Sequence, residues 1–218
     1  MIIKTFLLYS YSMSKVNVAV LASGRGSNFL AILNEIKAGR CNAEIKVLIT
    51  DNPEANAIEI ARQNKISFEI IERPNFKNRI EMDDKIKQIL DSHKTTLVVL
   101  AGYMRIINGK SLLEAYKNKI INIHPSLLPS FPGEYAQKQA FDYGAKISGL
   151  TIHFVDETLD AGPIIYQEAV DISDCKTAEE TADKILTFEH KAYAKVIDSF
   201  SKGHYVIEGR MVKFAMQK

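Results

Sequence analysis

Apolar residues run along this chain in two alternating rhythms. Val16–Ala22 is an apolar run rich in Val, the pattern of a strand covered on both faces. Residues 29–38 then place apolar side chains at helical spacing until Gly39 ends them. The pair recurs: 44–50 reads as a strand closed by Asp51-Asn52-Pro53, and 54–64 as a helix. Residues 67–71 follow as a short strand and 78–91 as a charged amphipathic helix. Thr96–Ala101 is the most apolar of the strands and is predicted to lie at the sheet's centre. A helix over 109–116 and a fifth strand over 119–123 complete this half. Such alternation predicts right-handed crossovers and an open, mostly parallel α/β sheet with helices on both faces.

After residue 133 the rhythm changes. Residues 135–143 read as a helix stopped by Gly144. Residues 148–155 and 163–172 are predicted strands, joined by a loop short enough to set them antiparallel. Thr177-Ala178-Glu179-Glu180 pairs an N-cap with a Glu three positions on, and opens a helix to about Lys202. The tail from 205 to 214, turning at Glu208-Gly209-Arg210, is predicted to be a small hairpin.

Composition narrows the function classes. The 218 residues are 46% hydrophobic and 25% charged, ordinary for a globular protein. A formal net charge of +2, with no basic run interleaved by aromatics, argues against nucleic acid. Two cysteines, Cys41 and Cys175, form neither a disulfide framework nor a zinc motif, so a reducing cytoplasm is expected. No stretch reaches membrane-spanning length. Phe6-Leu7-Leu8-Tyr9 is too short an apolar core for a signal peptide and no cleavage pattern follows it. Residues 1–12 are therefore expected to be a disordered extension before a single domain over 13–218.

Candidate chemistry gathers at predicted strand ends, where open α/β sheets bind ligands. Asn122 and His124 stand two apart on the fifth strand and so share a face, just before Pro125 stops it. An amide beside a titratable ring suits acyl chemistry, although a lone His after a strand can equally be structural. Pro129 and Phe131-Pro132-Gly133 keep the following loop stiff. After the first strand, Ser23-Gly24-Arg25-Gly26-Ser27-Asn28 makes a turn whose N–H groups can cradle one phosphate. It is no dinucleotide fingerprint, because Phe29 stands where the third glycine belongs. Asp51 nonetheless lies where a ribose-binding acid would, so a non-catalytic nucleotide-binding module is the competing reading. Gly102–Ile107, after the central strand, could line a slot for a flat aromatic ligand. Asp156-Glu157-Thr158-Leu159-Asp160-Ala161-Gly162-Pro163 brings carboxylates to a loop, where Asp160 could pair with His124. His153 could join them or pack within the sheet. No local ligand spacing supports a metal.

Taken together, these stretches resemble the folate-dependent formyltransferases, and among them the phosphoribosylglycinamide formyltransferases of purine biosynthesis. The similarity runs from Val16 to about Phe200. It rests on the glycine turn, on Leu100–Ile106, on Asn122-Ile123-His124-Pro125-Ser126-Leu127-Leu128-Pro129, and on Leu159-Asp160-Ala161-Gly162-Pro163. The resemblance implies a Rossmann-like sheet of about seven strands. It implies formyl transfer from 10-formyltetrahydrofolate to the amine of 5-phosphoribosylglycinamide, with no metal and as monomer or homodimer. By the same resemblance Asn122, His124 and Asp160 match the catalytic trio. Gly26, Ser27, Asn28 and Glu189 match acceptor contacts. Arg79, Met104, Arg105, Ile106, Ile107, Asn122 and the loop Asp156, Glu157, Thr158, Leu159 and Asp160 match folate contacts. Tyr135 stands where such proteins often carry histidine, and Ala161 where glycine is frequent. A methionyl-tRNA formyltransferase would carry a further C-terminal domain, and a formyltetrahydrofolate hydrolase an N-terminal one.

Overall fold

The alternating rhythm folds into a seven-stranded sheet in the computed structural model, which describes residues 14–216; the extension expected at 1–12 lies outside them. The strands are β1 (Val16–Leu21), β2 (Ala43–Thr50), β3 (Ser67–Ile70), β4 (Leu97–Leu100), β5 (Ile120–His124), β6 (Ile147–Phe154) and β7 (Ile164–Asp171). Their spatial order is β3-β2-β1-β4-β5-β6-β7, which puts the most apolar strand, β4, in the middle. The pairs from β3 to β5 are parallel, and β6 and β7 join antiparallel. The fold is Rossmann-like. The chain leaves β1 toward one side of the sheet and returns at β4 on the other, so a crevice opens between the carboxyl ends of these two strands.

Alternate residues of each strand feed two cores. Val18 and Val20 face α1 (Ser27–Lys37), α2 (Asn56–Gln63) and α6 (Ala178–Ser199). Ala19 and Leu21 face α3 (Arg79–Ser92) and α4 (Lys110–Ala115), through Met82, Ile86, Leu90 and Leu112. A fully buried Tyr193 on α6 brings its hydroxyl to Leu100 O at 2.8 Å and Ile121 O at 3.0 Å, tying the helix to the end of β4 and the first half of β5.

Several boundaries have local causes. Helix α1 begins two residues before the periodicity suggests, because Gly26 adopts φ 74° and turns the chain straight into it. Thr177 caps α6 as expected: its hydroxyl accepts from Glu180 N at 3.1 Å, and the Glu180 carboxylate accepts from Lys176 N at 2.7 Å. Helix α5 (Ala136–Tyr143) begins after Tyr135, itself at φ 59°. The tail forms β8 (Gly203–Glu208) and β9 (Met211–Met216), a longer hairpin than its sequence suggests. A short 3-10 turn at Arg73–Asn75 is unforeseen by the apolar pattern. Among the described residues no helix is long and apolar enough to cross a membrane.

Candidate active site

A cavity of about 690 Å³ opens at the carboxyl ends of β1, β4 and β5, within the range of small-ligand sites. Its walls come from the glycine turn, Arg79 at the start of α3, the 102–107 segment, the end of β5, residues 133–137, the loop after β6, and one face of α6.

The first wall needs its glycine. At Gly26 φ is 74°, and an added Cβ would press on Ala57 and Ile60 at 3.0 Å. The turn therefore lies against α2 and directs the first N–H groups of α1 toward the cavity. Asn28, nearly buried, donates through Nδ2 to Glu189 Oε2 at 2.8 Å. Burial pushes the Glu189 carboxyl up from its ordinary value, and the Asn28 bond only partly opposes this. Asn28 Oδ1 has no hydrogen-bond partner among the described residues.

On β5, Asn122 and His124 share a face as their spacing requires. Antiparallel pairing sets His153 of β6 opposite Asn122 and Thr151 opposite His124. His153 Nδ1 donates to Phe154 O at 2.8 Å, so its neutral ring offers a bare Nε2, which accepts from Asn122 Nδ2 at 3.3 Å. Desolvation lowers the His153 pKa, which favours this uncharged form. Thr151 fastens the turn after His124: its hydroxyl donates to Ser126 O at 2.7 Å and accepts from Leu128 N at 3.0 Å.

His124 Nε2 donates to Phe131 O at 2.8 Å, and its Nδ1 lies 3.4 Å from Asp160 Oδ2. The same carboxylate oxygen accepts from Gly133 N at 2.8 Å, while Oδ1 stands 3.8 Å from His153 Nε2. Asp160 sits at φ 49°, in a loop that folds back over the end of β5. Both side chains are almost wholly buried. Asn122, His124, His153 and Asp160 thus form one connected polar cluster on the cavity wall.

Of the residues named from sequence, Arg79, Met104, Arg105, Ile106 and Ile107 line the cavity, as do Asp156, Thr158 and Leu159. Glu157 does not. Asp156 Oδ1 accepts from Thr158 N at 2.9 Å, and this tight turn leaves Glu157 exposed at its apex. Ile107 also belongs to the core beneath, with 3% exposure, while Met104 is 58% exposed. Asp51 is not free to hold a ribose: it is buried and bonded to Ser23 and Arg105. His153 is the residue that sequence left undecided, since its place depends on cross-strand register. Leu186, three residues before Glu189 on α6, lines the cavity as well and follows from helical spacing alone. Among the described residues no group of three or more His, Cys, Asp or Glu could hold a metal ion.

Residues 16–197 match the formyl transferase family. The chain belongs to that family. Among formyl transferases described as phosphoribosylglycinamide formyltransferase, the Bacillus subtilis (strain 168) protein is 46% identical over 179 residues, 82% of this chain and 91% of that one. The human trifunctional purine biosynthetic protein adenosine-3 is 35% identical over 195 residues, but this formyl transferase spans only 19% of its length. A crystal structure of glycinamide ribonucleotide transformylase 1 from Symbiobacterium toebii superposes with a TM-score of 0.90 at 40% identity, covering 95% of this chain and 97% of that one.

Proposed function

We propose that this formyl transferase moves the formyl group of 10-formyltetrahydrofolate onto the primary amine of 5-phosphoribosylglycinamide, in the cytoplasm and without a metal. The observation that carries the proposal is the juxtaposition of two unlike ends in one cavity. At one end is the Asn122–His124–Asp160 cluster, and at the other the buried Asn28–Glu189 pair beside a helix N-terminus.

The acceptor's phosphate would rest on the N–H groups of Ser27 and Asn28, where the dipole of α1 favours negative charge. Glu189, which lines the cavity beside Asn28, would accept a hydrogen bond from the acceptor. The folate would lie along Met104–Ile107, with Arg79, Asp156, Thr158 and Leu159 around it. The amine attacks the formyl carbon; a carbon–nitrogen bond forms, the bond to the folate N10 breaks, and one proton passes from the amine to N10. A tetrahedral oxyanion arises between these events.

Asn122 has one amide hydrogen engaged by His153 and a second free for that oxyanion. His124 Nδ1, 3.4 Å from Asp160, can share its proton with the same oxygen. Such contacts are often long before ligand binds and shorten in the complex. Asp160 orients the ring and balances its charge.

The direct test mixes the protein with glycinamide ribonucleotide and 10-formyltetrahydrofolate and follows release of tetrahydrofolate. Release that requires the ribonucleotide is expected. Release at the same rate without it would mean that water is the acceptor.

A further inference from the structure

We infer that Asp51 is a positioning residue that joins the acceptor and folate subsites, an inference resting on the subsite assignment just proposed. Asp51 directly follows β2 and is not among the cavity-lining residues, so it acts through others. Its side chain is 3% exposed and divides its two oxygens between two walls. Ser23 Oγ donates to Oδ1 at 2.5 Å, and Arg105 Nε donates to Oδ2 at 2.5 Å. Ser23 opens the glycine turn after β1; Arg105 belongs to the segment after β4.

The two walls are further stitched at the same point. Ser23 Oγ accepts from Met104 N at 2.9 Å, and Ser23 N donates to Gly102 O at 3.0 Å. The glycine turn has separate supports that do not involve Asp51. Asn52 Nδ2 donates to Ser23 O and Asn56 Nδ2 to Arg25 O, each at 3.1 Å. Asp51 is bonded to one side chain of each wall, Ser23 and Arg105, and its carboxylate offers separate acceptor oxygens to the hydroxyl and the guanidinium.

The consequence is an energetic link. A ligand that fixes the glycine turn also fixes Met104 and Arg105, so the second ligand meets a wall whose ordering has already been achieved. Binding of the phosphorylated amine and of the folate is then mutually favourable.

Calorimetry tests this on the full chain, using glycinamide ribonucleotide and a folate analogue whose N10 is replaced by carbon. In the unaltered protein, saturation with the ribonucleotide is expected to tighten analogue binding by about fivefold or more. Asp51→Asn keeps an acceptor for Ser23 but sets an amide against Arg105. The factor should fall below about twofold, with affinity for the ribonucleotide alone unchanged, because Asn52 and Asn56 still hold its turn. Arg105→Met should lose the same factor and serves as the second variant if Asp51→Asn does not fold. A factor that persists in both variants, or none in the unaltered protein, overturns the inference. An unaltered protein that binds neither ligand instead overturns the proposed function beneath it.

Discussion

His153 and His124 lie in one cluster yet are held differently by what surrounds them. His153 has a carbonyl on one nitrogen and an amide donor on the other, and burial lowers its pKa, so it serves as a neutral acceptor. His124 has an oxygen facing each ring nitrogen, Phe131 O and Asp160 Oδ2. Replacing His124 with Ala removes the ring proposed to meet the developing oxyanion. Turnover should fall by roughly 10²–10³ with acceptor affinity nearly unchanged. Asp160→Asn should also depress kcat, because the ring loses the carboxylate that orients it while Gly133 keeps an acceptor oxygen. Steady-state kinetics of both variants check this, and wild-type turnover in either would remove that residue from the chemistry. At this scale Asn122 and His124 were legible, since period two puts them on one face. His153 was not, because its place beside Asn122 depends on the register in which β6, starting 23 residues after His124, pairs with β5. Glu157 misled because a carboxylate in an acidic loop carries no sign of the Asx turn that swings it outward.

The elements themselves were largely readable. Strand and helix alternation anticipated the parallel half, and a carboxyl-terminal pair of strands was expected to be antiparallel. What escaped was conformational: the left-handed residues Gly26 and Tyr135 set where α1 and α5 begin, and Asp160 turns the acidic loop within its length. Gly162 acts by a different route. A Cβ there would sit 1.8 Å from Phe154 O, so the loop can return to β7 only by passing directly over the end of β6. Gly162→Ala should therefore lever the loop away and carry Asp160 with it. Thermal unfolding is expected to lose about 1–3 kcal/mol, and turnover should fall further than that loss of stability explains. An alanine variant with unaltered melting and rate would mean that the loop relaxes freely.

Across the whole molecule, the price of the site shows in how stability responds to pH. Burial raises the Glu189 carboxyl above its ordinary 4.5. Relative to the unfolded chain, its contribution is complete below 4.5 and is lost as pH rises through the raised folded value. Glu189→Gln keeps an oxygen for Asn28 and removes that loss. The variant should melt higher than its parent near about pH 8, the gap closing on acidification toward the unfolded value, while its hold on the acceptor weakens. Melting curves separated by a constant amount at every pH would assign the difference to packing instead.

The contact between Tyr193 and the two strand ends has a bearing on how the protein comes to be made. Leu100 and Ile121 leave the ribosome long before the helix whose phenol spans them, and Leu186 and Glu189 travel on that same late helix. A nascent chain paused before residue 178 already holds every strand of the seven-stranded sheet, but its crevice lacks the wall that Leu186 and Glu189 supply. The crevice is closed only once α6 has been made.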